Sequence, residues 1–542
     1  MNSKKSGSII IALLLLVATA CNNNNGIYNI TDFGARGDGK KINTKSINEA
    51  VRKCSNEGGG TVVIPRGIFI TGTIVLRSGV NLHLEPGAIL TGSIDTSDYL
   101  IMNDVQFSEG YSRYGLIFAK NAENISITGY GEINGNGTFF MNGIDKPHMG
   151  GGDFDRKFTR QGERFMKPGD LIEDGPVSYN FRPGMLITLE YCGNIRISDV
   201  TMKDSPEWTI RLGTCDNAII HGIAITNNKL IPNSDGIHCT TSRNVMISDC
   251  NIFAGDDAVI VTGFGDGPLP GEINDEKFHN MKGNRTGWAE NVTVTNCVLS
   301  SRSAGIRVGY GSHPIRNLTF SNIIIYDSNR GIGVFARDDS RVENVLFSDI
   351  VISNRLHSGH WWGKGEPIHI SAIQDTRGGK PGTIDNIRFS NITAQSEAGI
   401  VIYGTGESII NNIHLKDIKL RIGKGKYTES YGGNFDLRPA WPLDKALFTH
   451  DIPGLYAGYV KNLTLTGFRM EWEEGMPEFF TSGIDIEYFN GVYLDDIQAN
   501  PAHYAEGKPA VLLSNGENAI VRNIRTDREN LPYLMLNVKQ VK

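Results

Sequence analysis

The chain repeats one short phrase of alternating apolar and polar residues from its middle to its end. Each copy begins with Asn, continues with an apolar residue at every second position, and ends in a polar turn before a second short apolar stretch. The copies begin at Asn194, Asn217, Asn244, Asn291, Asn317, Asn344, Asn386, Asn412, Asn462 and, in a weaker form, Asn490. Most are 23 to 28 residues apart, and the spacings of 42, 47 and 50 correspond to two repeats or to one repeat with an insertion.

Period-two alternation with a turn every twenty-odd residues predicts an all-β solenoid of parallel strands. In such a parallel β-helix, each coil buries its inward side chains against the next coil. A β-propeller would need a period near ~40 residues, and a β-sandwich would not repeat one phrase this often. We interpret the repeated Asn residues as structural, because Asn tolerates the left-handed backbone of a tight turn and can hydrogen-bond along the stack.

Three segments depart from the repeat, which otherwise predicts one body over residues 28–542. Ser46–Cys54 is a predicted short helix that would cap one end of the solenoid and cover its open sheet edge. Residues 139–177 are rich in Gly, Met and charge and predict a long loop, and residues 423–456 form a second insertion with aromatic and charged residues. Because loops on one face of a scaffold often hold ligand, we expect both insertions near a binding site.

Composition narrows the classes of partner. The chain has 542 residues and a formal net charge of −6, which gives no general attraction to nucleic acid or to an anionic membrane surface. Any acidic substrate must therefore be met by local Arg and Lys side chains. The cysteines form no CxxC pair, so a zinc site is not predicted, and most of them lie in strand-like segments that should be buried. We predict no cofactor and a monomer.

The first residues predict export. Residues 1–21 contain Lys4 and Lys5, an apolar stretch and then Ala-Thr-Ala before Cys21, and the segment is too short for a membrane span in the mature protein. A Cys in this place resembles the lipobox of bacterial lipoproteins, with residues 22–27 as a polar tether. We expect a lipid on Cys21 as the sole membrane attachment, in the periplasm or on the outer membrane of a Gram-negative bacterium. The alternative is an ordinary secretory signal with an incidental Cys.

Two acidic clusters are separated by one repeat. From Asp235, in Asn-Ser-Asp, to Asp256, in Gly-Asp-Asp, is 21 residues, about one coil of a parallel β-helix. The carboxyl groups of Asp235, Asp256 and Asp257 should therefore meet on neighbouring coils of one face. Crowded carboxylates repel one another and retain at least one proton near neutral pH, which suits a general acid beside a general base.

The same motifs carry a resemblance to a known family. The segments 30–39, 58–67 and 84–93 look like the first coils of right-handed β-helices that degrade pectin. Together with Asn233-Ser-Asp and Gly255-Asp-Asp, they make the chain similar to family 28 of the glycoside hydrolases, the polygalacturonases and their relatives. The resemblance implies a single-stranded right-handed parallel β-helix over nearly the whole body.

The resemblance also implies a reaction. Members of the family hydrolyse α-linked galacturonides with inversion and without metal. Carried over by motif, Asp256 becomes the general acid that protonates the leaving oxygen, and Asp235 with Asp257 holds the nucleophilic water. An inverting pair of carboxyl groups must leave room for that water.

Two motifs of the family are missing. Where members carry Gly-His-Gly, residues 303–309 contain no His, and where members carry Arg-Ile-Lys, residues 330–337 read Arg-Gly-Ile-Gly-Val-Phe-Ala-Arg. We hypothesise that Arg307 and Arg337 replace the lost cations, since the Arg fork binds a carboxylate at two points. Arg302 is a further candidate. The alternative is that these are surface Arg residues in a solvated ladder.

Four more residues are candidates for substrate contact. Trp361 and Trp362 lie between glycines in a segment that does not read as a plain coil, with Glu366 close behind. Indole rings stack on sugar faces, and we expect one Trp to pack inward and the other to face substrate. His238 could fill the missing histidine role, although strand alternation from Asp235 predicts that its side chain points to the opposite side.

The sequence therefore predicts an exported inverting glycosidase acting on pectic, galacturonic-acid-containing glycan. The lost motifs favour a substrate such as rhamnogalacturonan over plain homogalacturonan, and the long insertions favour removal of terminal units. Two alternatives stay open: a Ca²⁺-dependent polysaccharide lyase with an Arg or Lys base, and a β-helix that binds glycan without cleaving it.

Overall fold

The computed structural model describes most of the chain. The described residues are 26–101, 115–143, 173–179, 181–264, 287–359, 361–375, 379–431, 433–503, 509–526 and 531–540. The predicted signal segment with Cys21, and most of the predicted tether, lie outside these residues. The same holds for the greater part of the predicted loop 139–177.

Short strands account for most of the described chain. The first are β1 Ile27–Asn29, β2 Asp38–Ile42, β3 Gly60–Ile64, β4 Gly67–Thr71, β5 Ile74–Val75, β6 Val80–Leu84, β7 Ala88–Gly92, β8 Ile117–Lys120, β9 Glu123–Gly129, β10 Glu132–Asn134, β11 Ile187–Glu190 and β12 Gly193–Ser198. They continue as β13 Thr201–Lys203, β14 Ile210–Gly213, β15 Asp216–His221, β16 Ala224–Thr226, β17 Ile237–Thr240, β18 Arg243–Ser248, β19 Asn251–Phe253, β20 Val259–Gly263, β21 Ala289–Ser300, β22 Ala304–Gly311, β23 Ile315–Ser328 and β24 Arg330–Ala336. The last are β25 Arg341–Asn354, β26 Ile368–Ala372, β27 Thr383–Ser396, β28 Ile400–Tyr403, β29 Ile410–Ile422, β30 Phe435–Asp436, β31 Leu447–Phe448, β32 Leu455–Trp472, β33 Ile484–Gln498, β34 Pro509–Val521, β35 Ile524–Arg525 and β36 Leu531–Lys539.

These strands form three parallel ladders, which confirms the predicted right-handed parallel β-helix. In the first part of the chain each coil contributes one strand to each ladder, and from β21 onward one long strand often serves two ladders. The third ladder matters most for function. It runs through β5, β8, β11, β14, β17, β20, β22, β24, β26 and β28, and then through the first residues of β32, β33 and β34.

Alternation along the third ladder separates core from site. Every second side chain points into the core and packs on the equivalent side chain of the next coil. Examples in consecutive strands, all at 0% exposure, are Ile210, Ile237, Val259 and Ile306. The residues that follow them face outward. They are Arg211, His238, Ile260, Arg307, Gly333 and His369, each in register with the next. The ladder therefore aligns polar side chains in one column on the outer face.

The repeated Asn residues form a ladder of their own. Asn317, for example, has a left-handed φ of 57° and donates its side-chain amide to Asn291, while its carbonyl oxygen accepts from Asn344, both at 3.3 Å. The same contact recurs between Asn386 and Asn344 at 2.8 Å. Asn is suited to both demands, since its short amide tolerates this backbone and supplies a donor and an acceptor.

Helix and insertion lie where the sequence breaks its period. The helix α1, Thr44–Asn56, contains the predicted segment and buries Ile47, Val51 and Cys54 at the first coils. Short 3₁₀ helices occur at Ile30–Phe33, Thr96–Asp98, Gly137–Phe140 and Leu443–Ala446, and one helical turn at Thr428–Tyr431. The chain leaves the coil after Ile422 and rejoins it at Leu455, and in between β30 and β31 pair antiparallel.

The Asn ladder gives a stability prediction. Asn317→Ala removes two ladder hydrogen bonds and places Ala in a left-handed backbone conformation that it adopts only with strain. We therefore expect the free energy of unfolding to fall by about 1–3 kcal/mol. Asn317→Gly keeps the backbone conformation at little strain and should lose clearly less. Guanidinium unfolding followed by circular dichroism measures both, and equal losses in the two variants would contradict the backbone part of the explanation.

Candidate active site

The three predicted acids occupy two adjacent turns that lead into the third ladder. Asp235 stands two residues before β17, and Asp256 and Asp257 stand just before β20. The backbone joins the turns, since Gly236 donates its N–H to the carbonyl oxygen of Asp257 at 2.9 Å. The turns approach so closely that a Cβ on Gly255 would lie 2.2 Å from Ser234 Oγ. Glycine at 255 is therefore required to bring the acids together.

Arg307 lies between the acids. It projects outward from β22, in register with Ile260 of β20. Its Nε is 2.7 Å from Asp257 Oδ2 in an ion pair, and its terminal nitrogen is 3.7 Å from Asp235 Oδ2. The second oxygen of Asp257 accepts the Ala304 N–H at 2.7 Å. Asp257 is thus fixed by a cation on one oxygen and a backbone donor on the other.

Asp256 differs from the other two acids in exposure. Asp235 is 2% and Asp257 3% exposed, whereas Asp256 is only partly buried. The Asp256 carboxylate accepts the Asn233 N–H at 3.3 Å and interacts with the Ser303 side chain. Asp256 is therefore the carboxyl group of the three that a molecule in solvent can reach.

Burial and mutual repulsion shift the ionisation of the cluster. Burial, and then the charge of Asp257, raise the pKa of Asp256 to about 7, with Arg307 acting in the opposite direction. Burial, followed by the charges of Asp256 and Asp257, raises the pKa of Asp235 well above its usual range. The groups titrate as a coupled set. The cluster therefore retains a proton near neutral pH, as the sequence predicts, and its exposed member is suited to donate it.

His238 was predicted on the wrong side of the strand. Its Nδ1 is 3.8 Å from Asp235 Oδ2, so both side chains point the same way. The alternation fails because Asp235 lies in the turn, and regular strand begins only at Ile237 after Gly236. The ring is fully buried, stacks on Trp208 at 3.6 Å between centroids, and its Nε2 is 3.2 Å from Thr262 Oγ1. Burial, then the charges of Arg307 and Arg211, lower its pKa, so the imidazole is neutral.

An aromatic group extends the site from Arg307. The Tyr310 ring lies 4.5 Å from the Arg307 guanidinium, and its neighbours are Phe335 at 5.1 Å and Trp362 at 5.9 Å. Trp362 is partly exposed, while Trp361 is 5% exposed and donates its indole N–H to the Asp174 carbonyl oxygen. Trp361 is thus packed inward and Trp362 lies at the surface, and contact of Trp362 with substrate stays a prediction. The sequence did not indicate Tyr310 as a site residue, because a Tyr between two glycines predicts only a turn.

Glu366 and Arg337 lie beneath the surface, contrary to the predicted contact with substrate. Glu366 is 1% exposed and pairs with Arg330 at 2.7 Å and with His369 at 2.9 Å. Arg337 is 0% exposed, and its guanidinium donates to Ser371 and to carbonyl oxygens of the insertion, at Leu437 and Pro439. Arg337 therefore holds the insertion 423–456 on the coils directly. Glu366 does so through Arg330, which donates to the Asp436 carbonyl oxygen at 3.2 Å.

Arg302 belongs to a separate charged group beside the acids. Its guanidinium is 3.1 Å from Asp327 and 3.7 Å from Asp174. Arg355 and Lys229 pair with Asp327 in the same group, at 2.7 Å and 3.1 Å. Asp174 comes from the predicted loop 139–177, so this loop reaches the coils next to the acids.

Arg182 is a further site residue that the sequence did not indicate. It donates to the Asn233 side chain at 3.2 Å and to the Pro232 carbonyl oxygen at 2.6 Å, and pairs with Glu207 at 2.7 Å. It therefore supports the turn whose N–H binds Asp256. Its position before the first clear repeat carries no pattern that would have singled it out.

Two kinds of feature are absent from the described residues. In those residues no group of three or more His, Cys, Asp or Glu side chains is placed to hold a metal ion. Among the helices of the same residues, none is both long and apolar enough to cross a membrane.

Comparison with known proteins identifies relatives of two kinds. The profile described as Glycosyl hydrolases family 28 matches residues 181–432, which contain all three acids. A second profile, Rhamnogalacturonase A/epimerase, pectate lyase-like, matches residues 27–148. A probable polygalacturonase of Vitis vinifera is 32% identical over 43% of this chain and 43% of its own length. An exo-poly-alpha-D-galacturonosidase of Dickeya chrysanthemi is 27% identical over 55% of each chain.

Solved structures share the fold. An exopolygalacturonase from Thermotoga maritima superposes with a TM-score of 0.57 at 21% identity, covering 82% of this chain and 91% of its own. A family 28 exopolygalacturonase from Yersinia enterocolitica gives 0.59 at 19% identity, covering 88% and 78%. The chain spans about half the length of the first two sequence relatives. The profile match over residues 181–432 and the sequence relatives support a member of family 28 of the glycosyl hydrolases, and the solved structures share its fold.

Proposed function

We propose that the protein hydrolyses α-glycosidic bonds of galacturonic-acid-containing pectic glycan with inversion at the anomeric carbon. The observation that supports the proposal is the difference in exposure and ion pairing between Asp256 and Asp257. Asp256 is partly exposed and has a pKa raised to about 7, while Asp257 is buried in an ion pair with Arg307. An acid and a base set apart by their surroundings are what a glycosidase requires.

The reaction follows from these positions. Asp256 gives its proton to the glycosidic oxygen as the bond from that oxygen to the anomeric carbon breaks. A water molecule held by Asp257 and Asp235 attacks the anomeric carbon from the opposite face, and its proton passes to the carboxylate pair. Arg307 balances the charge of Asp257, so that the pair stays ready to accept a proton while Asp256 retains its own.

The substrate class rests on the relatives and on the cations of the site. Relatives named polygalacturonase and exo-poly-alpha-D-galacturonosidase support a galacturonide, and the latter supports removal of terminal units. Arg307 was predicted to bind a substrate carboxylate, but its guanidinium is engaged with Asp257. Arg302 is likewise paired, with Asp327. This supports a glycan in which neutral sugars alternate with uronates, such as rhamnogalacturonan, over a uniform galacturonan.

The two alternatives make different use of the site. A Ca²⁺-dependent lyase would need an Arg or Lys base to remove a proton from the uronate ring, and the cation at the acids, Arg307, is held by Asp257. A glycan-binding β-helix would have no use for a proton on Asp256. The lyase predicts an unsaturated product and the glycan-binding protein predicts no product, so an analysis of products separates both from the hydrolase.

The first test follows the products. On a panel of pectic oligosaccharides, we expect new reducing ends without the ultraviolet absorbance of an unsaturated product, both with excess chelator and with added Ca²⁺. Asp256→Asn should lower kcat by about 10²–10⁴-fold, the usual contribution of a general acid. Ultraviolet absorbance that requires Ca²⁺ would establish the lyase. The absence of product on every glycan tested would favour the glycan-binding protein.

The pH profile tests the assigned acid. Asp256 acts in its protonated form, and its raised pKa of about 7 keeps that form populated at neutral pH. We therefore expect kcat/KM to fall as pH rises through about 7. The profile is measured on a substrate whose own ionisation lies well below this range. A rate that stays level up to pH 9 would contradict the assignment.

Arg307 gives a second prediction on the same profile. Its charge lowers the pKa of Asp256 and of Asp235, so Arg307→Met should move the alkaline limb of kcat/KM to higher pH. The value of kcat should fall about tenfold or more, because the Asp257 carboxylate loses the ion-pair partner that fixes its position. Arg307→Lys, which retains a cation, is the matched control. An unmoved limb in Arg307→Met would show that the ion pair does not set the ionisation of the acids.

We propose also that the protein is exported as a lipoprotein attached through Cys21, followed by a single β-helical body. Cys21→Ser should then move the protein from the membrane fraction to the soluble fraction of cells that express it. Activity on soluble oligosaccharide should be unchanged, because the acids lie far along the chain from the anchor. A wild-type protein found only in the soluble fraction would contradict the anchor.

A further inference from the structure

A second cleft lies on the face of the acids, farther along the third ladder. It has a volume of about 500 Å³ and opens between the end of the insertion 423–456 and the coils of β33 and β34. We call it the distal cleft. It is lined in part by His450, Thr481, Ser482, Asp485, Pro501 and Leu512. Nothing in the mechanism above uses these residues.

Register relates the distal cleft to the acids. The outward column that contains Arg307 continues through Gly333, His369 and Val401 to Tyr456 and Asp485, one residue per coil. Five coil steps at about 4.8 Å place Asp485 about 24 Å from Arg307. The distal cleft and Arg307 therefore lie in one column of the fold, and the buried residues His369, Val401 and Tyr456 occupy positions between them.

One wall of the distal cleft is formed by the imidazole ring of His450, which packs on two aromatic side chains. His450 stacks on Phe448 with 5.1 Å between centroids and packs against Tyr456 at 4.7 Å. The Tyr456 hydroxyl donates to Glu487 at 2.7 Å, which fixes the tyrosine in turn. The His450 side chain remains 24% exposed. This arrangement presents a rigid, flat surface to the cleft, as binding sites for ring-shaped ligands do.

Asp485 supplies the polar contact. Its side chain is 16% exposed, and the Nε2 atom of the His450 imidazole is 3.9 Å away, beyond hydrogen-bond range. Thr481 and Ser482 add hydroxyl groups, while Pro501 and Leu512 add apolar surface. A carboxylate can accept two hydroxyl hydrogen bonds at once, and apolar or ring surface covers the C–H face of a sugar.

The charge of the distal cleft selects the ligand. Its lining in the described residues contains Asp451 and Asp485 but no Lys or Arg, and Glu487 lies behind. A uronate would meet like charge there, whereas a neutral sugar would meet acceptors for its hydroxyl groups. We propose that the distal cleft is a second carbohydrate-binding site, which takes an uncharged, hydroxyl-rich sugar residue of the same glycan or of its side chains.

Binding to a catalytically inactive protein tests this proposal apart from the hydrolase. The host is the full chain with Asp256→Asn, and the probes are short neutral galacto- and arabino-oligosaccharides and an oligogalacturonide of equal length, titrated by calorimetry. We expect the host to bind a neutral probe, and Asp485→Asn in the host to weaken that binding at least tenfold. Glu471→Gln, which changes an exposed carboxylate of neighbouring β32, is the matched control and should leave binding unchanged.

His450→Ala provides a second variant if Asp485→Asn lowers the melting temperature, since it removes the ring wall without altering a coil. His450→Ala should also weaken the binding of the neutral probe at least tenfold. Binding of neutral probes that persists in both variants, binding of the oligogalacturonide alone, or no binding of any neutral probe would overturn the proposal. None of these outcomes depends on turnover, so failure here and failure of the proposed hydrolysis are distinguishable.

Discussion

The structure depends on the registered stacking of one coil on the next. Each strand of the third ladder pairs in parallel with the strand of the following coil, so residues one repeat apart come to lie about 4.8 Å from each other. This constraint makes the core a set of aliphatic columns and makes the outer face a set of polar columns. It also brings together Asp235 and Asp256, which are 21 residues apart in the chain.

The chemistry of the site follows from placing like charges in those columns. Three carboxyl groups on two adjacent turns are partly shielded from water, which favours retention of a proton. Arg307, one coil farther along, pairs with Asp257 and opposes the rise in the pKa of Asp235 and Asp256, and Asp256 is the partly exposed member of the cluster. The resemblance drawn from the sequence implied Gly-His-Gly and Arg-Ile-Lys motifs, which this chain lacks, and Arg307 lies inside its acid cluster.

The sequence predicted what depends on local repetition. Period-two alternation and the spacing of Asn residues predicted the parallel β-helix, and the two acid motifs predicted the meeting of Asp235 with Asp256 and Asp257. It failed where a residue leaves regular strand, as at Asp235, whose position in the turn reverses the expected relation to His238. It failed also where a distant segment covers the coils. Arg337 faces outward by the alternation of β24, yet the insertion buries it, and no periodic signal reveals that packing.

Hydrolysis with inversion by the acids on adjacent coils can be tested by a proton NMR time course of the anomeric signals while the purified protein cleaves an α-linked galacturonide. We expect the β-anomer of the new reducing end to appear first and mutarotation to form the α-anomer afterwards. Initial appearance of the α-anomer, or of an unsaturated sugar, would contradict it.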